Sequence, residues 1–415
     1  MGACEIARES TNHTNGGLRI CGFLVLRARY AGPGPPMHQD DMSQDLSPLF
    51  QPFELKGLTL KNRFVMPAMT RSRTPAPGTP TELNALYYAQ RAGAGLVIAE
   101  GTNPVPGGAG FPGVPAIFTA EHTEGWRRVA REVHAAGGKL FVQLWHGGRI
   151  SSAAWQPDGR PPLGASAVKA ENALFMTPEG QRGQPDTPRE ATQGEIDWLV
   201  EGFAKAARNA IDAGCDGVEI HGANGYLVHQ FFSDRSNVRT DGYGGAPKNR
   251  IRFAVEIAEA IAAEVGPERT AIRISPLAAY QDAPVSDPSD VYPLLLAELD
   301  RLDIAYVHCV EGEPSGINTG QGAPEREFDF PAARRLFKGA WIANNGYEPE
   351  RAAAAIAAGN TDLVSFGRKF IANPDYPTRV KLGAPINEID GMTAYAGQAD
   401  RGYTDYPFLQ TEPAE

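Results

Sequence analysis

Gly217-Val218-Glu219-Ile220-His221-Gly222-Ala223-Asn224-Gly225-Tyr226 (217–226) reads as a short apolar run that passes into a glycine-rich turn. Upstream, residues 195–213 carry Ile196, Leu199, Val200, Phe203, Ala207 and Ile211 at helical spacing, one face of a helix. Downstream, 249–264 repeats that helical pattern before the next apolar run at 271–274. A buried strand flanked by amphipathic helices is the unit of an α/β fold with a parallel sheet. The same unit recurs along the chain. Apolar runs at 63–66, 95–99, 140–144, 217–220, 271–274, 305–309, 340–343 and 363–366 make eight, with helical segments between them, 348–358 among these. Eight alternations predict a closed (β/α)8 TIM barrel, a single domain with long capping loops, over a doubly wound open sheet.

The chain has 415 residues, long for one domain but ordinary for this barrel. Residues 48–415 are assigned to the barrel. Residues 1–47 are rich in Gly, Pro and polar residues and include Gly32-Pro33-Gly34-Pro35-Pro36, so they are expected to be a disordered extension. Met37 or Met42 is an alternative start by hypothesis; an intact Met1 end in protein from the native host would reject it. Two connections are long: 147–193, and 311–327. Long loops after barrel strands shape the site in such folds.

Composition narrows the function. A net charge of −10 without a Lys/Arg block argues against nucleic acid. No apolar run is long enough to cross a membrane. The run at 20–26 has acidic neighbours in Glu5 and Glu9 and no clear cleavage site, which sets it against a targeting segment. Cys4, Cys21, Cys215 and Cys309 are scattered, with no CxxC pair for zinc or an iron–sulfur cluster, and fit a reducing, cytoplasmic setting. No metal site is expected. Monomer and homodimer both stay open.

Sites of this fold lie where strands end, and the strand ends here are polar. They carry Met66-Pro67-Ala68-Met69-Thr70-Arg71, Glu100-Gly101-Thr102, Gln143-Leu144-Trp145-His146, His221 to Tyr226, Arg273-Ile274-Ser275, Asn344-Asn345-Gly346 and Gly367-Arg368. The last two suit a phosphate dianion, through backbone N–H groups and a guanidinium; a plain chain turn with a surface ion pair explains the same residues equally well. Gly108, Gly110 and Gly113 match GxGxxG, but Pro106, Pro112 and Pro115 crowd them and no helix opens there, so the segment is a pocket loop. His221 and Asn224 can aim two N–H donors at one oxygen that gains negative charge; bonding to loop backbone is the plainer alternative. Tyr226 can deliver a proton or simply pack.

Together these residues resemble the Old Yellow Enzyme family of FMN-dependent ene-reductases. The matching stretches are MPAMTRSRT (66–74), VQLWHGGRIS (142–151), HGANGYLVHQFFSDRSNVRTDGYGG (221–245), IRISP (272–276), FGRKFIANPD (366–375) and GYTDYP (402–407), in family order, spanning about residues 48–409. A threonine at 70 resembles the yeast and enterobacterial branch. The resemblance implies FMN as cofactor, NADPH or NADH as electron donor, and a small-molecule substrate with an activated C=C bond. It implies that Ala68, Met69 and Thr70 line the flavin and that Gly101 lets its ring approach. Gln143 and Arg273 would meet the pyrimidine edge, and Asn345, Gly346, Gly367 and Arg368 the phosphate. His221 and Asn224 would grip the substrate oxygen, and Tyr226 would donate the proton. Trp145, Tyr280, Tyr395 and Phe111 would wall the pocket.

There are departures. Pro67-Ala68 inverts the common Ala-Pro order, Phe111 replaces a frequent tyrosine, and Asn345-Gly346 differs from several relatives. A dienoyl-CoA reductase type lacks its cysteine cluster here, and a barrel aldolase lacks a strand-end lysine. A non-catalytic flavin-binding sensor, or a nitro or quinone reductase, are the alternatives that an assay separates.

Overall fold

The computed structural model describes residues 45–173, 175–312, 327–395 and 399–410. Eight parallel strands close into a barrel: β1 (Phe64–Met66), β2 (Leu96–Thr102), β3 (Leu140–Leu144), β4 (Gly217–Gly222), β5 (Thr270–Ile274), β6 (Tyr306–Val310), β7 (Ala340–Asn344) and β8 (Leu363–Ser365). β8 pairs with β1 and completes the ring. All eight coincide with the apolar runs to within three residues at either end. The helices between them include α1 (Glu82–Gln90), α2 (Ala120–Ala135), α3 (Gln193–Asp212), α4 (Arg252–Val265), α5 (Pro288–Arg301), α6 (Phe330–Leu336) and α7 (Pro349–Ala357).

Local chemistry sets these elements. α3 opens on Thr192, whose hydroxyl accepts from the Glu195 N–H at 3.3 Å, while the Glu195 carboxylate accepts from the Thr192 N–H at 3.0 Å. This reciprocal cap satisfies two end donors, worth about 1 kcal/mol. The helix expected over 249–264 is instead broken at Ile251, into Pro247–Arg250 and α4.

The period-2 alternation of the strands sorts the barrel into two cores. Outward residues such as Val97, Val142, Val218 and Ile220 pack under the helices. Inward residues such as Ile98, Phe141, Ala271, Tyr306, Ile342 and Leu363 fill the lower barrel, which the antiparallel hairpin Phe53–Leu55/Leu58–Leu60 covers with Leu55 and Leu60. Two residues further along the same strands, the inward positions turn polar: Gln143, Arg273, His308, Asn344 and Ser365. One end of the barrel is therefore an apolar plug and the other a polar floor.

Two expectations need adjustment, and a third lies mostly outside the described residues. Ser47 opens a short helix (Ser47–Phe50) and Leu46 packs on the core, so the ordered fold starts before the 47/48 boundary; the rest of the expected extension lies outside the described residues. The loop 147–193 contains short paired strands, Leu163–Gly164 with Arg189–Glu190 and Phe175–Met176 with Arg182–Gly183, too brief to leave a periodicity. Most of the connection 311–327 lies outside the described residues.

Candidate active site

His221 is the inward residue at the top of β4, buried among aromatic rings. Its centroid lies 5.2 Å from that of Tyr226. Tyr226 in turn meets Trp145 edge-on at 5.3 Å, and Trp145 faces Phe111 at 6.1 Å. Four expected site residues from three loops thus form one wall. Burial, then the nearby Arg273, His229 and His308, hold the His221 pKa well below 6.5. Its Nδ1 accepts from the Ala223 N–H at 3.3 Å, so the remaining proton sits on Nε2 as a donor.

Asn224 adopts φ +55, a left-handed conformation that asparagine tolerates. Ser275 fixes it, its hydroxyl accepting from the Asn224 N–H at 2.8 Å. The Asn224 amide oxygen is buried and makes no hydrogen bond among the described residues. That does not fit the plainer reading, in which this side chain satisfies the loop. Gly225 follows at φ +76, and a Cβ there would come within 2.3 Å of the Tyr280 carbonyl oxygen. Only glycine lets the Tyr226 loop dock on the 280–282 turn.

That turn is unusual in its own right. Gln281 and Asp282 both have positive φ, 58 and 60. Arg149 holds them, donating to the Asp282 carbonyl at 2.6 Å and the Gln281 carbonyl at 3.2 Å. Burial pushes the Arg149 pKa down to about 10, leaving it charged at neutral pH. The Gln281 amide lies 3.5 Å from the Tyr226 phenol oxygen, donating to it. Burial raises the Tyr226 pKa to about 12, so the phenol keeps its proton. Gln230, fully buried, joins the loops by donating to the Gly147 and Gly225 carbonyls at 3.0 and 2.9 Å. Arg149, Gln230, Ser275 and Gln281 were missed because they bond to backbone or loop atoms, and nothing in their spacing announces it.

On the opposite side, Arg273 donates to the Ala68 carbonyl at 3.4 Å and to Asn344 Oδ1 at 2.9 Å. Thr70 is half-buried and its hydroxyl has no hydrogen bond among the described residues. Gly367 faces Met69, with 3.4 Å between a built Cβ and the sulfur, so the loops after β8 and β1 adjoin. Asn345 (φ 104) and Gly346 (φ 66) turn the chain after β7, and Asn345 donates to the Glu311 carbonyl at 2.7 Å. Arg368 is exposed, with no hydrogen bond or ion pair among the described residues. The surface-pair reading falls to its neighbour Lys369, which meets Glu348 at 3.1 Å.

Gly101 and Tyr395 each have a setting of their own. The space left by Gly101 is taken by Trp145, 3.1 Å from a built Cβ, at a bulge where the β2–β3 register shifts. Gly101 thus seats the aromatic wall. Tyr395 is 61% exposed and stands at the outer rim. Its segment is clamped by Arg71, which donates to the Ala394 and Gly402 carbonyls at 2.9 and 2.7 Å, and by Arg73, which reaches the Thr393 carbonyl at 2.6 Å.

The donors suit a flavin: a Thr70 hydroxyl and an Arg368 guanidinium without partners among the described residues, and a buried guanidinium at Arg273. Among the described residues no cluster of three His, Cys, Asp or Glu could hold a metal ion, and no helix is long and apolar enough to cross a membrane.

Known proteins share this architecture. Residues 48–387 match the NADH:flavin oxidoreductase / NADH oxidase family. The chain is 40% identical over 365 residues to 12-oxophytodienoate reductase 1 of Oryza sativa subsp. japonica, covering 88% of this chain and 93% of that one. Morphinone reductase in complex with tetrahydroNAD superposes with a TM-score of 0.81 at 43% identity, over 87% of this chain and 98% of that one. The Old Yellow Enzyme homologue from Zymomonas mobilis gives 0.82 at 40% identity, over 87% and 99%. The chain therefore belongs to the NADH:flavin oxidoreductase / NADH oxidase family and is a flavin oxidoreductase of the Old Yellow Enzyme type.

Proposed function

We propose that the protein is an FMN-dependent, NAD(P)H-driven ene-reductase that reduces C=C bonds conjugated to a carbonyl or nitro group. The observation that carries this reading is the cluster of neutral His221, the Asn224 side chain and protonated Tyr226 beside Trp145. Residues 48–415 supply the whole site, and no separate nucleotide domain is needed. Ala68, Met69, Thr70, Gln143 and Arg273 would hold the flavin ring, and Asn345, Gly346, Gly367 and Arg368 its phosphate. FMN, held there, would supply the hydride chemistry that links the nicotinamide donor to the alkene.

The protein's own residues do the rest. His221 Nε2–H and the Asn224 amide N–H donate to the substrate oxygen, drawing electron density out of the double bond. Preorganised donors of this kind cost no rearrangement when charge develops, and each is worth roughly 3 kcal/mol. Tyr226, protonated and set against Trp145, delivers its proton to the α-carbon. Trp145 and Phe111 keep that wall apolar, and Tyr280 borders it. NADPH is the expected donor by family resemblance, with NADH the alternative; the tetrahydroNAD bound to morphinone reductase supports a nicotinamide in this pocket.

The test is anaerobic. NADPH is expected to bleach the visible flavin band, and cyclohexenone to restore it. Bleaching without recovery from cyclohexenone or a nitroalkene would reject the ene-reductase reading. Protein that takes up no FMN would reject the flavin site itself.

A further inference from the structure

Glu219 is a carboxylate inside the barrel with no exposure to solvent. It lies on β4 two residues before His221, so its side chain points to the same interior one tier lower. Unpaired, such a group would be costly to bury. It is fully engaged instead. Gln143 Nε2 donates to Glu219 Oε1 at 2.7 Å, and His308 Nδ1 lies 2.9 Å from Oε2.

The chain of bonds continues across the floor. His308 Nε2 is 2.9 Å from the Ser365 hydroxyl, which accepts from Asn344 Nδ2 at 2.7 Å. Asn344 Oδ1 accepts from Arg273 at 2.9 Å. The Ala343 carbonyl, 3.4 Å from the Ser365 hydroxyl, is the longer and weaker alternative for its proton. Burial pushes the His308 pKa down, so the imidazole is neutral, with Nδ1–H on Glu219 and Nε2 accepting from Ser365. Every bond then runs one way, from Arg273 through Asn344, Ser365 and His308 to Glu219, with Gln143 arriving from the other side. Burial alone would protonate Glu219, but His308, Arg273 and Gln143 outweigh it and keep the carboxylate ionised.

A consequence follows for the two residues assigned above to the flavin's pyrimidine edge. An amide whose N–H is spent on Glu219 has its oxygen left for the site. A guanidinium tethered through Asn344 keeps its remaining N–H groups for the site. We propose that Glu219 is a positioning residue: through one directional hydrogen-bond chain it fixes Gln143 as acceptor and holds the Arg273 guanidinium in place, and its charge lowers the reduction potential of the bound flavin. This rests on the flavin reading and adds to it the residue that sets the cofactor's potential. The electrostatic sign is fixed by Coulomb's law. A buried negative charge near the pyrimidine end opposes the negative charge that reduction places there, while Arg273 favours it.

The experiment uses full-length wild type, Glu219→Gln and Ser365→Ala. Affinity for oxidised FMN is read by fluorescence quenching on deflavinated protein, and the potential by equilibration with reference dyes. Glu219→Gln keeps the side-chain shape and removes the charge. It is expected to favour reduced over oxidised FMN at least tenfold, an upward shift of about 30 mV for a two-electron couple. Ser365→Ala cuts the chain, leaves the charge and loosens Arg273, so its potential is expected to fall. Equal loss of affinity for both redox forms, or an unmoved potential, in Glu219→Gln would reduce Glu219 to a structural residue and overturn the proposal. If Glu219→Gln does not fold, an unmoved potential in Ser365→Ala does the same. Wild type that binds no FMN removes the flavin reading, and this inference with it; wild type that binds FMN isolates the failure here.

Discussion

Tyr226→Phe is expected to leave flavin reduction by NADPH within about threefold of wild type and to slow alkene reduction by 10²- to 10⁴-fold, roughly the range a positioned general acid contributes. The substitution removes one oxygen and keeps the ring. The edge-on contact with Trp145 at 5.3 Å and the contact with His221 at 5.2 Å therefore survive, and the wall keeps its shape. What disappears is the proton. Hydride delivery from a nicotinamide needs none at this position, whereas saturation of an alkene needs one at the α-carbon. Single-turnover mixing separates the two half-reactions. Because burial holds the phenol near pKa 12 and His221 stays neutral well below pH 6.5, the wild-type alkene step is also expected to be flat between about pH 7 and 10. An alkene step as fast as wild type in the variant would remove Tyr226 from the mechanism. Equal slowing of both half-reactions would show that it only shapes the pocket.

The fold and the candidate rim were legible for one physical reason. Strands buried on both faces need apolar residues at nearly every position, so the polar residues stand out where the strands stop. His221, Asn224 and Tyr226 follow directly on an apolar run, and they were found there. The floor beneath them was less visible. Glu219 and His308 sit inside β4 and β6, each flanked on both sides by apolar residues, and a reading of strand ends passes over them. The signal existed: a carboxylate in the middle of an apolar strand must have a buried partner. Naming that partner required closure of the barrel, because Glu219 and His308 are 89 residues apart. The 280–282 turn left no signal, since nothing in Tyr280-Gln281-Asp282 announces two left-handed residues held by Arg149. Tyr395 was named only through the family resemblance, because its place depends on how Arg71 and Arg73 anchor the chain on either side, which leaves it at the exposed rim.

His221→Ala is expected to weaken the binding of phenols at least tenfold and to slow alkene reduction by about 10²- to 10³-fold, the usual cost of removing one oxyanion donor. Phenolates test the site without turnover, because their oxygen carries the negative charge that the substrate oxygen only approaches in the transition state. The donor's form matters. With Nδ1 occupied by the Ala223 N–H, His221 can offer only Nε2–H, and burial keeps the imidazole neutral and able to do so at neutral pH. Asn224 is the other proposed donor, and its backbone is held by Ser275 rather than by His221. The two single variants are therefore expected to be structurally independent but energetically coupled. If both donors hold one oxygen, the double variant will cost less than the sum of the singles, because the first loss already releases the anion. Strict additivity would mean that the two side chains serve different atoms. Phenol affinity unchanged in His221→Ala would mean that the oxygen sits elsewhere, and the proposed polarity of the whole pocket would have to be reversed.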